Sequence, residues 1–296
     1  MILRHAGALI FGKTTTTEFA ATVVGTATCN PHDPTRTPGG SSSGSGAAVG
    51  DYQVPLALGT QTGGSVIRPA SFNGVYAMKP TWGSVTREGQ KVYSLILDTV
   101  GWYGRCVADL EMLADVFALR DDGEEPAEMT EDDFRNSKVA LVKTMVWPQV
   151  GPGTAAAMNT AARILRERGV IVEEIELPPE FDELPQQHRI VLTCDGRTAF
   201  LPEYYADKPR LHESLVGHVD NVKRYTRAQQ LAAFDCISVL RPKIDEIAGR
   251  YSVIIAPSVP DEAPVGQTST GSAAFNSIWT VRLILLIFCP QYQLDD

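Results

Sequence analysis

The sequence predicts an α/β fold, and three observations carry that prediction. Apolar, β-branched runs alternate with helical patterns through residues 139–256, the order expected when helices pack on a parallel or mixed sheet. Glycine, serine and threonine crowd residues 39–101, with short apolar stretches such as 54–58 between them. Over 296 residues the composition is ordinary for a globular chain, 44% hydrophobic and 21% charged. That is enough for one large domain or two ordinary ones with a buried core, and too apolar for wholesale disorder.

Taken in order, residues 8–11 are Ala, Leu, Ile and Phe, an uninterrupted apolar run that predicts a buried strand. Residues 121–133 are strongly acidic and read as a solvated surface loop. Residues 139–146 predict a buried strand. Residues 154–168 predict a helix, with apolar positions at Ala157, Ala161, Ile164 and Leu165 and Gly169 as its stop. Residues 170–177 alternate in the manner of a second strand. Residues 227–250 are helical in pattern, and Pro242 is expected to kink or divide them. Residues 253–256 form a short β-branched run closed by Pro257.

Charge and cysteine usage exclude several functions. Lys and Arg total 26 against 35 Asp and Glu, a formal charge of −9, and no long basic block is present, which argues against a nucleic-acid surface. The five cysteines (Cys29, Cys106, Cys194, Cys236 and Cys289) are scattered and odd in number. No spacing suits zinc or a disulfide framework, so a reduced, cytoplasmic setting is expected. The N-terminus lacks the long apolar stretch of a signal peptide, and the longest apolar run, 283–289, is too short to span a bilayer.

Two short motifs match by form only. Residues 7–14 fit the pattern of a phosphate-binding loop ending in Lys13-Thr14. The residues between its glycines are strand-formers, however, where that loop needs an exposed, flexible backbone. Residues 40–44 fit the nucleophile elbow of Ser-His-Asp hydrolases. The segment before them holds three prolines rather than a strand, and His188, His212 and His218 read as surface or packing residues rather than as a base.

A third constellation absorbs both. GGSSSGSGAAV at 39–49 is followed by LGTQTGGSVIRPA at 58–70, then Gly74 and Lys79-Pro80-Thr81. A flexible linker would not embed Leu56, Leu58, Val66, Ile67 and Val75. Glycines around a serine instead let successive N–H groups converge on one point, as an oxyanion hole requires. On these residues the sequence resembles the amidase signature family, the Ser-cisSer-Lys amidohydrolases. The likeness is dense over residues 6–104 and looser as far as 275–280.

The resemblance implies the amidase-signature fold: a central mixed β-sheet covered by helices on both faces. It also implies one partial domain over residues 1–280, followed by an atypical tail at 281–296. Family members are longer at both ends, so a chain truncated at both ends is expected. Carried over by position, the nucleophile falls on Ser65, the serine preceded by a cis peptide on Ser41, and the base on Lys13. The oxyanion hole falls on the amides of Thr62, Gly63, Gly64 and Ser65. Arg68 stands three residues after Ser65, which is closest to the malonamidase-like branch and implies that it binds an acidic group of the substrate. The glutamyl-tRNA amidotransferases usually place that arginine one residue earlier. The alternative for Arg68 is a brace against an internal acid, and Asp98 reads as a structural anchor.

Such a site needs a neutral, desolvated lysine, and the predicted strand at 8–11 would bury Lys13. The implied activity is hydrolysis of a small carboxamide through a Ser65 acyl-enzyme. No metal or organic cofactor, nucleic acid or membrane takes part, and a homodimer is compatible with it. The alternatives are a catalytically dead fragment and an amidotransferase-type subunit.

Overall fold

The computed structural model describes residues 1–119, 129–281 and 286–288. In chain order the elements are α1 (Ile2–His5), α2 (Ser43–Gly50), β1 (Ala57–Gln61), α3 (Ile67–Asn73), β2 (Tyr76–Lys79), β3 (Thr99–Gly104), α4 (Val107–Val116), α5 (Glu131–Arg135), β4 (Lys138–Lys143), α6 (Pro152–Glu167), β5 (Ile171–Glu176), α7 (Leu184–Ala199), α8 (Leu201–Asp207), α9 (Glu213–Val219), α10 (Arg227–Ala248), β6 (Val253–Ile255), α11 (Ala274–Thr280) and β7 (Leu286–Phe288). The α/β class holds. The two kinds of strand pairing occupy separate sheets: β1-β3-β2-β7 is antiparallel throughout, and β5-β4-β6 is parallel.

The parallel sheet is the part whose sequence pattern is plainest. Strand β4 reads KVALVK, with its four central residues buried, and α6 returns the chain to β5 as a crossover helix. Above this sheet a large core joins Val142, Phe181, Leu184, Val191, Ile237, Ile244 and Ile278. Pro242 lies inside α10 without dividing it. A proline in a helix interior costs about 3 kcal/mol. Ile237, Leu240 and Ile244 of the same helix are buried, each stabilising by roughly 1.5–3 kcal/mol, so packing outweighs the lost hydrogen bond.

Helix α2 has the opposite history. Its sequence, SGSGAAVG, has little helix propensity, yet seven of its eight residues are buried. The small residues are what allow its neighbours in. A Cβ on Gly44 would lie 2.5 Å from the Thr15 amide nitrogen, and one on Gly46 would lie 2.9 Å from Asn73 Nδ2 and 3.1 Å from Pro69 of α3. Close packing replaces the roughly 1 kcal/mol that each interior glycine costs.

One expectation fails at the N-terminal end. Residues 8–11 form no strand, and Leu9 and Phe11 are 91% and 81% exposed. No sheet edge takes them up, so an apolar run had too few backbone partners to become a strand. The tail at 281–296 is described only at Val281 and residues 286–288, where β7 pairs antiparallel with β2; the rest lies outside the described residues. So does 121–128 of the acidic stretch, while Glu131, Asp132 and Asp133 open α5 behind a Thr130 capping box.

Candidate active site

The two serines of the motif come from different elements. Ser41 directly precedes the turn into α2, and the Gly40–Ser41 peptide is cis, as the resemblance implied. Ser41 is 2% exposed, its carbonyl accepts from the Thr17 amide at 3.1 Å, and its hydroxyl has no hydrogen-bond partner. The neighbouring serines are spent on structure: Ser43 Oγ donates to Gly39 O at 2.8 Å and Ser45 Oγ to Leu58 O at 2.7 Å, while Ser42 Oγ accepts the Thr60 amide at 3.1 Å. Ser65 lies in the turn between β1 and α3 and is only partly covered.

The turn that carries Ser65 is tied by its carbonyls. Thr62 O accepts from His188 Nε2 at 2.9 Å, and Gly63 O from Thr280 Oγ1 at 2.6 Å. Gly64 O accepts from the Arg68 amide at 2.9 Å, and Ser65 O from the Tyr103 hydroxyl at 3.2 Å. Among the described residues nothing accepts from the amides of Gly63, Gly64 or Ser65. A trans peptide points its N–H opposite to its C=O, so fixing the Thr62, Gly63 and Gly64 carbonyls also fixes the direction of the three N–H groups that follow them. That is the donor set an oxyanion hole needs.

Gln61 fixes both ends of this turn, and sequence reasoning missed it. Its Oε1 accepts the Val66 and Ile67 amides at 2.9 and 3.0 Å, capping α3. Its Nε2 donates to Thr280 Oγ1 at 2.9 Å. Thr62 is held a second way, its hydroxyl donating to Asp98 Oδ1 at 2.7 Å. Asp98 also accepts the Tyr93 and Ser94 amides at 2.7 and 3.1 Å, which is the anchoring role read from the sequence. Ser94 Oγ then donates to Asp195 Oδ2 at 2.6 Å. Burial holds both carboxyls above the ordinary carboxylate range.

The remaining expected residues divide. Lys13 does not join the serines: it is exposed in irregular chain, and the Ser41 hydroxyl has no partner. The burial that a basic lysine needs depended on a strand at 8–11 that does not form. Arg68 is 3% exposed. Its guanidinium donates to Gly40 O at 2.6 Å, to Gly271 O at 3.0 Å and to Thr270 Oγ1 at 3.3 Å. It is therefore a brace, against carbonyl and hydroxyl oxygens rather than an internal acid, and burial lowers its pKa to about 10. Of the three histidines, His188 is buried, His218 Nε2 meets the Tyr93 hydroxyl at 3.1 Å, and His212 Nδ1 caps α9. Among the described residues no cluster of three or more His, Cys, Asp or Glu side chains is placed to hold a metal, and no helix is long and apolar enough to cross a membrane.

Comparison with known proteins meets this geometry. Residues 1–286 match the family described as Amidase. The A subunit of glutamyl-tRNA(Gln) amidotransferase from Lachnospira eligens is 31% identical over 299 residues, which cover 88% of this chain and 62% of that protein. Its chloroplastic/mitochondrial counterpart from Zea mays is 39% identical over 311 residues, covering 88% and 56%. The native peptide amidase of Stenotrophomonas maltophilia superposes with a TM-score of 0.75 at 26% identity, over 99% of this chain and 69% of that one. The chain thus spans less than two thirds of the curated relatives' length.

Proposed function

This chain belongs to the amidase family, and on that premise we propose that it carries an amide-cleaving centre in which Ser65 forms an acyl-enzyme. The observation that carries the reading is the turn at 62–65, with its carbonyls tied back and three amides left unaccepted. Ser65 Oγ attacks the carbonyl carbon of a small carboxamide, and the developing oxyanion lies against the N–H groups of Gly63, Gly64 and Ser65. Ser41, whose buried hydroxyl is uncommitted, takes the proton leaving Ser65 as it gives its own proton to the amide nitrogen. Collapse of the tetrahedral intermediate expels ammonia or an amine, and water then cleaves the ester.

Lys13 is given no step, because it lies exposed in irregular chain and the Ser41 hydroxyl has no hydrogen-bond partner. Arg68 is assigned to holding the Gly40 carbonyl next to Ser41, so a malonamidase-like preference for acidic amides does not follow from it. A second reading, favoured by the names of the Lachnospira and Zea relatives, is an amidotransferase-type subunit. It would form the same acyl-Ser65 and hand the ammonia onward.

Hydroxylamine trapping tests both. The protein is incubated with small primary amides, and hydroxamate and free ammonia are measured. Hydroxamate from wild type and none from Ser65→Ala supports the acyl-enzyme; hydroxamate from both would sink it. Ammonia released by the chain alone favours the hydrolase, and release only with added partner proteins favours the second reading.

A further inference from the structure

We infer that His188, a residue of α7 outside the motif, is a positioning residue that aims the Gly63 N–H into the oxyanion hole. The inference rests on the acyl-enzyme reading above and adds a residue to it. The Thr62 carbonyl can only accept, so the 2.9 Å contact requires the proton of the imidazole to sit on Nε2. Because a trans peptide sets C=O and N–H in opposition, whatever fixes the Thr62 carbonyl also fixes the direction of the Gly63 amide. The Thr62–Gly63 peptide is one that could otherwise turn over, since glycine accepts either backbone orientation at little cost. The Gly63 carbonyl and the Gly64 amide are governed in the same way by Thr280.

Three further observations support the assignment. His188 is 5% exposed, and a Cβ on Gly63 would stand 3.4 Å from its Cε1, so the ring lies close over the peptide it holds. Burial keeps the imidazole below its usual pKa and hence neutral, the form that has a defined tautomer. Asp98 restrains the Thr62 side chain but leaves the peptide plane free, so the carbonyl needs its own donor.

The test compares His188→Phe, which keeps a ring and loses the donor, with His188→Gln, which keeps an N–H at similar reach. Removing one oxyanion donor costs roughly 100- to 1,000-fold in kcat, and a mis-aimed donor costs a share of that. His188→Phe is therefore expected to lose about 10- to 100-fold in kcat with KM within about threefold, and His188→Gln to recover most of the loss. Equal losses in the two variants, or wild-type kcat in His188→Phe, would overturn the inference. Two readouts need no turnover, and the first needs no variant. Nitrogen-15 NMR of the wild-type ring should show a protonated Nε2, and an Nδ1–H tautomer would overturn the assignment. Hydrogen exchange of residues 62–66 should quicken in His188→Phe relative to His188→Gln, and unchanged exchange counts against it. A wild type that makes no hydroxamate defeats the acyl-enzyme reading alone, and the ring tautomer and exchange still decide the role of His188.

Discussion

Lys13 and Arg68 are both cations near the serine loop, and the structure gives them opposite settings. Lys13 faces water, and substitutions at such positions seldom move a protein by more than about 0.5 kcal/mol. Lys13→Ala should therefore keep kcat/KM within about threefold, and a loss of a hundredfold or more would show that Lys13 reaches the serines during turnover. Arg68 is buried and bonded to the carbonyl of the cis peptide. Losing a charged hydrogen bond costs roughly 1.5–3 kcal/mol, about ten- to a hundredfold in rate if it acts on the transition state. Because the brace acts on the loop, Arg68→Ala should depress turnover of acidic and neutral amides alike. A loss confined to acidic amides would return the arginine to substrate binding.

Helix α3 and the turn before it hang on one side chain, Gln61. Gln61→Leu would strip the acceptor from two buried amides and the donor from Thr280, costing about 3 kcal/mol in a urea titration. Gln61→Glu, which keeps the acceptor, should lose less; equal shifts would mean that the cap is not what matters. How much of this was legible depends on the element. Strands β4 and β5 and helix α6 follow a clear hydrophobic period, and the sequence places all three to within a few residues. Strands β1 and β3 carry Gly59, Gly101 and Gly104, which erase the alternation. Gly101 is nonetheless demanded by packing, because a Cβ there would sit 2.6 Å from Met78 O. At the site, Ser41 and Ser65 announce themselves within one motif. His188 and Thr280 meet it from 126 and 217 residues away in sequence, and no local pattern could report those contacts.

Across the whole molecule, one buried cation should shape how stability responds to pH. Lys79 ends β2 fully buried, with the Pro80 carbonyl at 2.8 Å as its one hydrogen-bond acceptor among the described residues, and burial lowers its pKa to about 7. The unfolded chain keeps this amine protonated up to an ordinary value of 10.5. Between those limits the unfolded state binds more protons, so the contribution of Lys79 makes stability rise with pH, by up to about 1.4 kcal/mol per unit. Unfolding midpoints from pH 7 to 10 should show that rise in wild type and not in Lys79→Met; identical profiles would remove Lys79 as its source. The burial of α2 has a consequence of a different kind. Its serine and glycine run has the composition of a spacer, which a protease would be expected to sever first. Packed as it is, it offers no extended strand for an enzyme's cleft to grip. Limited chymotrypsin digestion should instead open the chain after Leu9 or Phe11, whose side chains stand in water on irregular backbone. The core fragment that survives should then still carry the spacer-like run intact.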